Sequence, residues 1–286
     1  MTTAESLDFL FREAVAAIDA GDVAALDRLL AAQPRLVRER LDAPGAWLRD
    51  TVGAALEGFF NRPYLLWFVA EDPVRNGTLP RNIAAVTQLI IAAARREGMA
   101  TLQEQLDHAL KLTSWSWIAR QSEVQIALID VLADAGAALD GNPDSALVNG
   151  NVAAAAHLVE RGAALTLSTA LCLERWDDAS RLGALATASE KQFGLTLSAL
   201  RGNVRGVTMA ISLGADVNTP SADLYSHGTP LHHAVHSASL DTVQAIIDAG
   251  ATLDVKDSIY HGTPLEWAEF RKRAEIVSYL RGKGAR

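Results

Sequence analysis

Five of the seven histidines in this chain fall between positions 227 and 261: His227, His232, His233, His236 and His261. Imidazole titrates near physiological pH and can shuttle protons, ligate metals or bracket backbone groups. His232 and His236 lie four residues apart, which on a helix places both on one face, as in a two-histidine metal pair. The competing reading is a histidine held in the core by hydrogen bonds. His233 and His236 are candidates for partner binding. If a pocket forms, either could transfer protons with Glu266 or Glu269, which stand one helical turn apart. Ser226 adjoins His227, but adjacency in sequence is not the hydrogen-bonded geometry of a catalytic triad. Cys172, the one cysteine, reads as a packing residue and excludes an internal disulfide or a cysteine-cluster metal site. No glycine-rich phosphate loop occurs. No cofactor, metal or catalytic residue is therefore expected.

The aromatic residues are few, at 6% of the chain, but they recur at particular places. Trp115 and Trp117 stand together in Leu112-Thr113-Ser114-Trp115-Ser116-Trp117. Trp267 and Phe270 share a helical stretch near the carboxy terminus. Tyr225 and Tyr260 each come shortly before a Thr-Pro pair. Exposed aromatic rings of this kind supply the anchors of protein-binding surfaces. Trp47, Trp67 and Trp176 read as core or seam residues.

The elements that must position these side chains are repeats. His227-Gly228-Thr229-Pro230-Leu231 returns 34 residues later as His261-Gly262-Thr263-Pro264-Leu265. Between them, Leu240–Ala251 has apolar residues at helical spacing and stops at Gly250, a residue that readily takes the left-handed C′ conformation. Such Gly-Ala stops fall at Gly136, Gly162, Gly214, Gly250 and Gly284, with gaps of 26, 52, 36 and 34 residues. The gap of 52 predicts a stop without glycine near Ala188, after Leu182-Gly183-Ala184-Leu185. Thr-Pro starts a helix well, the hydroxyl capping it and the proline costing no hydrogen bond at the first position.

Gly228-Thr229-Pro230-Leu231-His232-His233-Ala234 with Asp248-Ala249-Gly250-Ala251 resembles the ankyrin repeat family. Ser198-Ala199-Leu200-Arg201-Gly202-Asn203 with Leu213–Asn218 matches nearly as well, and Gly-Asp or Gly-Asn recurs at Gly21-Asp22 and Gly150-Asn151. The resemblance is most regular over 144–286, present at 9–41 and weakest over 42–120. It implies an all-α solenoid of about eight helix pairs over 1–286, with short β-hairpin fingers in the carboxy-terminal units. Segments 42–62 and 72–81 are then atypical insertions. Ala146, Cys172, Ala199 and Ala234 would let inner helices stack closely. The resemblance gives His232 a structural role, bonded to neighbouring backbone. It places fingers and inner helices on a concave binding face. The implied contact residues are Trp115, Trp117, Tyr225, Ser226, His233, His236, Tyr260, Glu266, Trp267 and Phe270.

Composition sets the remaining bounds. The 286 residues are 49% hydrophobic, enough for a large core, and the net charge of −8 argues against non-specific nucleic-acid binding. Met1–Phe11 has no basic and apolar leader, and no apolar stretch is long enough to span a membrane, so a cytoplasmic protein is expected. Arginine outnumbers lysine 21 to 5, a codon-bias inference towards a bacterial source. The charge is unevenly spread: −2 over 1–120, −9 over 121–260 and +3 over 261–286. A partner or ligand of positive or hydrogen-bonding character is expected to face 121–260. The function expected first is binding of a protein partner through the concave groove. The alternative is a small-molecule binder or enzyme with a histidine and aromatic pocket there.

Overall fold

The computed structural model describes residues 6–286. The first five residues, part of the Met1–Phe11 stretch, lie outside the described residues. The chain divides into two compact units, Met1–Ala164 and Leu165–Arg286.

The first unit contains α1 (Leu7–Ala20), α2 (Val23–Ala32), α3 (Arg35–Arg38), α4 (Ala46–Val52), α5 (Ile83–Arg96), α6 (Leu102–Trp115), α7 (Trp117–Gln121), α8 (Gln125–Asp134), α9 (Asn142–Val148) and α10 (Val152–Glu160). Two 3-10 helices, Gly53–Glu57 and Leu65–Ala70, interrupt the pattern. Ser6 caps α1, Gly21 ends it in the left-handed region and Asp22 caps α2. All six residues of Leu65–Ala70 are buried. Phe68 meets Phe11 and Phe60 edge-on and stacks with Trp47. Large rings here fill volume that small side chains fill elsewhere.

The turn after Leu65–Ala70 is held by charge. The buried Glu71 carboxylate accepts from the backbone N–H groups of Arg75 (2.7 Å), Asn76 and Gly77 (3.1 Å) and pairs with the Arg75 guanidinium (2.8 Å). Arg75 also donates twice to Asp19, at 2.9 and 2.8 Å. Burial, and secondarily the charge of Glu71, raises the Asp72 carboxyl to about 6.

The second unit is more regular. It contains α11 (Leu167–Cys172), α12 (Trp176–Leu185), α13 (Ala188–Leu200), α14 (Val204–Ser212), α15 (Pro230–Ser237), α16 (Leu240–Asp248), α17 (Pro264–Phe270) and α18 (Ala274–Gly282). Inner helices α11, α13, α15 and α17 pack side by side, and the outer helices α14, α16 and α18 do the same. Thr187, Thr229 and Thr263 each open an inner helix with a reciprocal capping box, closed by Glu190, His232 and Glu266. Ala170, Ala199, Ala234 and Ala268 are fully buried between the inner helices. Cys172, expected among these packing residues, is instead half-buried at the end of α11, and Ala170 fills that place.

The stop expected near Ala188 falls at Ala186, whose extended backbone ends α12. Gly183 lies inside that helix and is buried. A methyl group there would stand 2.4 Å from the Leu213 side chain, so glycine sets the approach between α12 and the end of α14.

The described residues contain no strand, so the expected β-hairpin fingers are not formed. The segments before Thr229 and Thr263 are turns. In the second, the Asp257 carboxylate takes the backbone N–H groups that a strand ladder would otherwise engage. Among the described residues no helix is long and apolar enough to cross a membrane.

Candidate functional site

The turn before α17 is built around Asp257, which is buried. Its carboxylate accepts from the N–H groups of Ile259 (2.9 Å), Tyr260 (2.6 Å) and Gly262 (2.9 Å) and from the Trp267 indole (2.9 Å). Burial alone would raise its pKa. The N–H of Tyr260, the Trp267 indole and the N–H groups of Gly262 and Ile259 overcome that and hold it well below the usual carboxylate range. Gly262 has little room: a Cβ there would sit 3.1 Å from the Trp267 ring. Asp257 thereby fixes the indole and the backbone that presents Tyr260.

His232 ties α15 to this turn. The Thr229 N–H donates to its Nδ1 (3.1 Å), which leaves the proton on Nε2 to donate to the Gly262 carbonyl (3.1 Å). This is the backbone-bracing role expected for His232. The Ser258 N–H donates to the His227 carbonyl (2.9 Å), joining the two successive turns.

Rings gather over this frame. Trp267 contacts His232 at 5.1 Å, His227 at 5.9 Å, and His233 and Tyr260 at 6.4 Å between centroids. Tyr225, in the left-handed backbone region, meets His233 at 6.0 Å and His227 at 6.2 Å. His233 lies beneath them, buried, its Nε2 without a hydrogen-bond partner among the described residues. Burial first, then the neighbouring His227 and His232, pushes it down to about 4, so it is neutral at physiological pH.

The surface of this cluster is apolar and open. Tyr260 is 73% exposed, Phe270 87% and Tyr225 48%. Tyr260, Glu266, Trp267, Phe270 and Arg271 border an open pocket of about 530 Å³. A pocket so open offers a seat for one protruding side chain.

The other expected residues are placed as follows. Ser226 is exposed beside Tyr225. Glu266 borders the pocket, but its carboxylate accepts from the Thr263 N–H (2.7 Å), which lowers its pKa. Glu269 pairs with Arg281 at 2.7 Å. His236 is half-buried in the last turn of α15. Burial first, then the positive charges of Arg271, Arg201 and Arg273, lowers its pKa. Trp115 and Trp117 belong to the first unit. Trp115 packs edge-on against Phe59 at 5.6 Å with the Lys111 ammonium 5.1 Å from its ring, and Trp117 is 50% exposed. Among the described residues no group of three or more His, Cys, Asp or Glu is arranged to hold a metal.

Asp257 is absent from the residues singled out in the sequence, and Arg271 reads there only as part of a basic, solubilising end of the chain. Asp257 was legible in principle, because Asp223 stands 34 residues before it, in register with the Thr-Pro repeat. The two are not equivalent in structure. Asp223 is exposed and accepts from the Ser189 hydroxyl at 2.7 Å.

Two proteins share an 82-residue stretch with this chain. Cyclin-dependent kinase inhibitor 2A of Monodelphis domestica is 37% identical over 29% of this chain and 46% of its own length. Cyclin-dependent kinase 4 inhibitor B of Bos taurus is 34% identical over 29% of this chain and 60% of its own length. The chain thus spans about half the length of these relatives. Residues 186–286, which begin beyond position 144 where the regular repeats were expected, match the family model of ankyrin repeats in three copies.

Proposed function

We propose that this chain is a protein-binding repeat module whose contact surface is the turn side of α15 and α17, formed by Tyr225, Tyr260, Trp267 and Phe270. The observation that carries this reading is the exposure of Tyr260 and Phe270 around an open pocket on a frame made rigid by Asp257 and His232. Two exposed rings cost hydration in the free protein, and a partner that covers them recovers that loss. The ankyrin repeats over 186–286 support a binding role, and the two relatives are named for inhibiting kinases. The proposal takes from those names only that another protein is the target. The groove stays on the concave face of the array, in the cytoplasmic and bacterial setting that the sequence leads one to expect.

The experiment is quantitative capture of partner proteins by the wild type and by Tyr260→Ser and Phe270→Ser, each checked for unchanged folding by circular dichroism. The expected result is loss of most of the partner recovered by the wild type. Undiminished recovery from both variants would remove this surface from the function. The small-molecule and enzymatic alternative has less support, because the carboxylates proposed for acid/base work are engaged: Glu266 with Thr263 and Glu269 with Arg281.

A further inference from the structure

Three consecutive cations, Arg271, Lys272 and Arg273, form the turn between α17 and α18. They belong to a stretch, 261–286, whose net charge is +3. Among the described residues the ion pairs of this stretch join Arg281 to Glu269 and Lys283 to Asp248 and leave these three out.

Two open hollows flank the turn. One is the aromatic pocket, bordered by Trp267, Phe270 and Arg271. The other, of about 470 Å³, lies between the end of α17 and α18. Its charged walls are Lys272, Arg273, Arg281 and Glu269, and the Ser278 side chain stands beside them. Arg281 and Glu269 pair with each other at 2.7 Å. Lys272 and Arg273 remain, which gives the lining a net charge of +2. Glu275, two residues after Arg273, does not line the hollow. The Arg273 Nε is buried without a hydrogen-bond partner among the described residues, so this guanidinium is not fully satisfied within the fold.

Two unpaired cations around one hollow match a compact dianion better than a lone carboxylate. An exposed pair between one carboxylate and one cation contributes little, because water screens it. A phosphomonoester carries close to two negative charges at neutral pH, with several acceptor oxygens. It can meet the ammonium, the guanidinium and the Ser278 hydroxyl together. We propose that this hollow binds a phosphorylated residue of the partner protein, whose apolar side chain sits against the rings of the aromatic pocket. The inference rests on the binding surface proposed above and adds recognition of the partner's modification state. The two hollows flank the end of one helix, about 10 Å across with its side chains. An extended chain advances about 3.3 Å per residue, so the phosphorylated residue stands about three positions from the apolar anchor.

The test uses fluorescein-labelled peptides of glycine and serine that carry one leucine and, three positions later, one phosphoserine. Matched peptides carry serine or glutamate in its place. Fluorescence anisotropy on the full chain is expected to show at least tenfold tighter binding of the phosphoserine peptide than of either control, weakened by salt through screening. Lys272→Gly removes the ammonium at a left-handed backbone position that suits glycine, so the fold is kept and the preference should fall at least threefold. Adding Arg273→Gln should abolish it. Equal binding of the three peptides, or a preference that survives both substitutions, overturns the inference. So does capture of the chain by phosphatidylserine vesicles without any peptide preference, which would assign the basic turn to a membrane. Phosphatase treatment of the partner proteins should reduce their capture. If capture survives phosphatase but is lost in Phe270→Ser, the binding surface stands and the phosphate assignment falls.

Discussion

The two units place their largest rings differently, although the first also exposes Phe9, Phe59 and Trp117. In the first, Phe11, Phe60, Trp67 and Phe68 are buried, and a carboxylate and a guanidinium, Glu71 and Arg75, hold the turn beneath them. In the second, alanines fill the space between inner helices, and Tyr260 and Phe270 are turned outwards. Where a core is built from small residues at regular spacing, large rings are not needed inside and are available at the surface. Where the repeat is broken, as at 42–81, rings and buried charge replace it. An aromatic residue is therefore informative about binding only through its place in the repeat.

Removing the central charge of the first unit breaks this contrast most severely. Glu71→Gln leaves the Arg75 guanidinium with Asp19 and the Phe68 carbonyl and weakens three backbone hydrogen bonds, so a loss of about 3–5 kcal/mol is expected in urea denaturation. An unchanged midpoint would show that the first unit does not depend on this pair.

The next effect belongs to the second unit and depends on pH. His233 takes up a proton near its ordinary 6.5 in the unfolded chain and only at about 4 in the folded one. Its contribution to stability is complete above pH 6.5 and is lost as pH falls towards 4, by about 3 kcal/mol. Denaturation curves across that range should steepen accordingly, and His233→Leu should flatten them. Asp257, held far lower, acts only below this window.

Asp257→Asn comes third. It keeps the size but loses half the acceptor capacity towards four donors, for about 2 kcal/mol. Because the same carboxylate fixes Trp267, the tryptophan fluorescence of the second unit should change as well. The smallest effect on stability is expected for Phe270→Ser, within about 0.5 kcal/mol, because the ring is 87% exposed. Its consequence should appear in binding alone.

The regular part of the fold was legible because its physics is local. Thr-Pro starts, Gly-Ala stops and buried alanines recur at fixed spacing, and α15 to α18 follow from them. His232 as a backbone brace followed from the resemblance. The finger before Thr263 was misread because one buried side chain, Asp257, closes the turn instead of a ladder, and burial is not visible in a string of residues. The middle of the first unit escaped because Leu65–Ala70 is a buried 3-10 helix whose environment is made by residues far away in sequence.

The central claim is that partners meet the second unit at the rings around the α17 turn. Incorporation of the photo-crosslinking residue p-benzoylphenylalanine at position 270, and separately at position 117 of the first unit, tests it most directly. Irradiation followed by mass spectrometry should give covalent partner adducts from position 270 and none from position 117, although both side chains are exposed. Adducts from position 117 with none from position 270 would contradict the account.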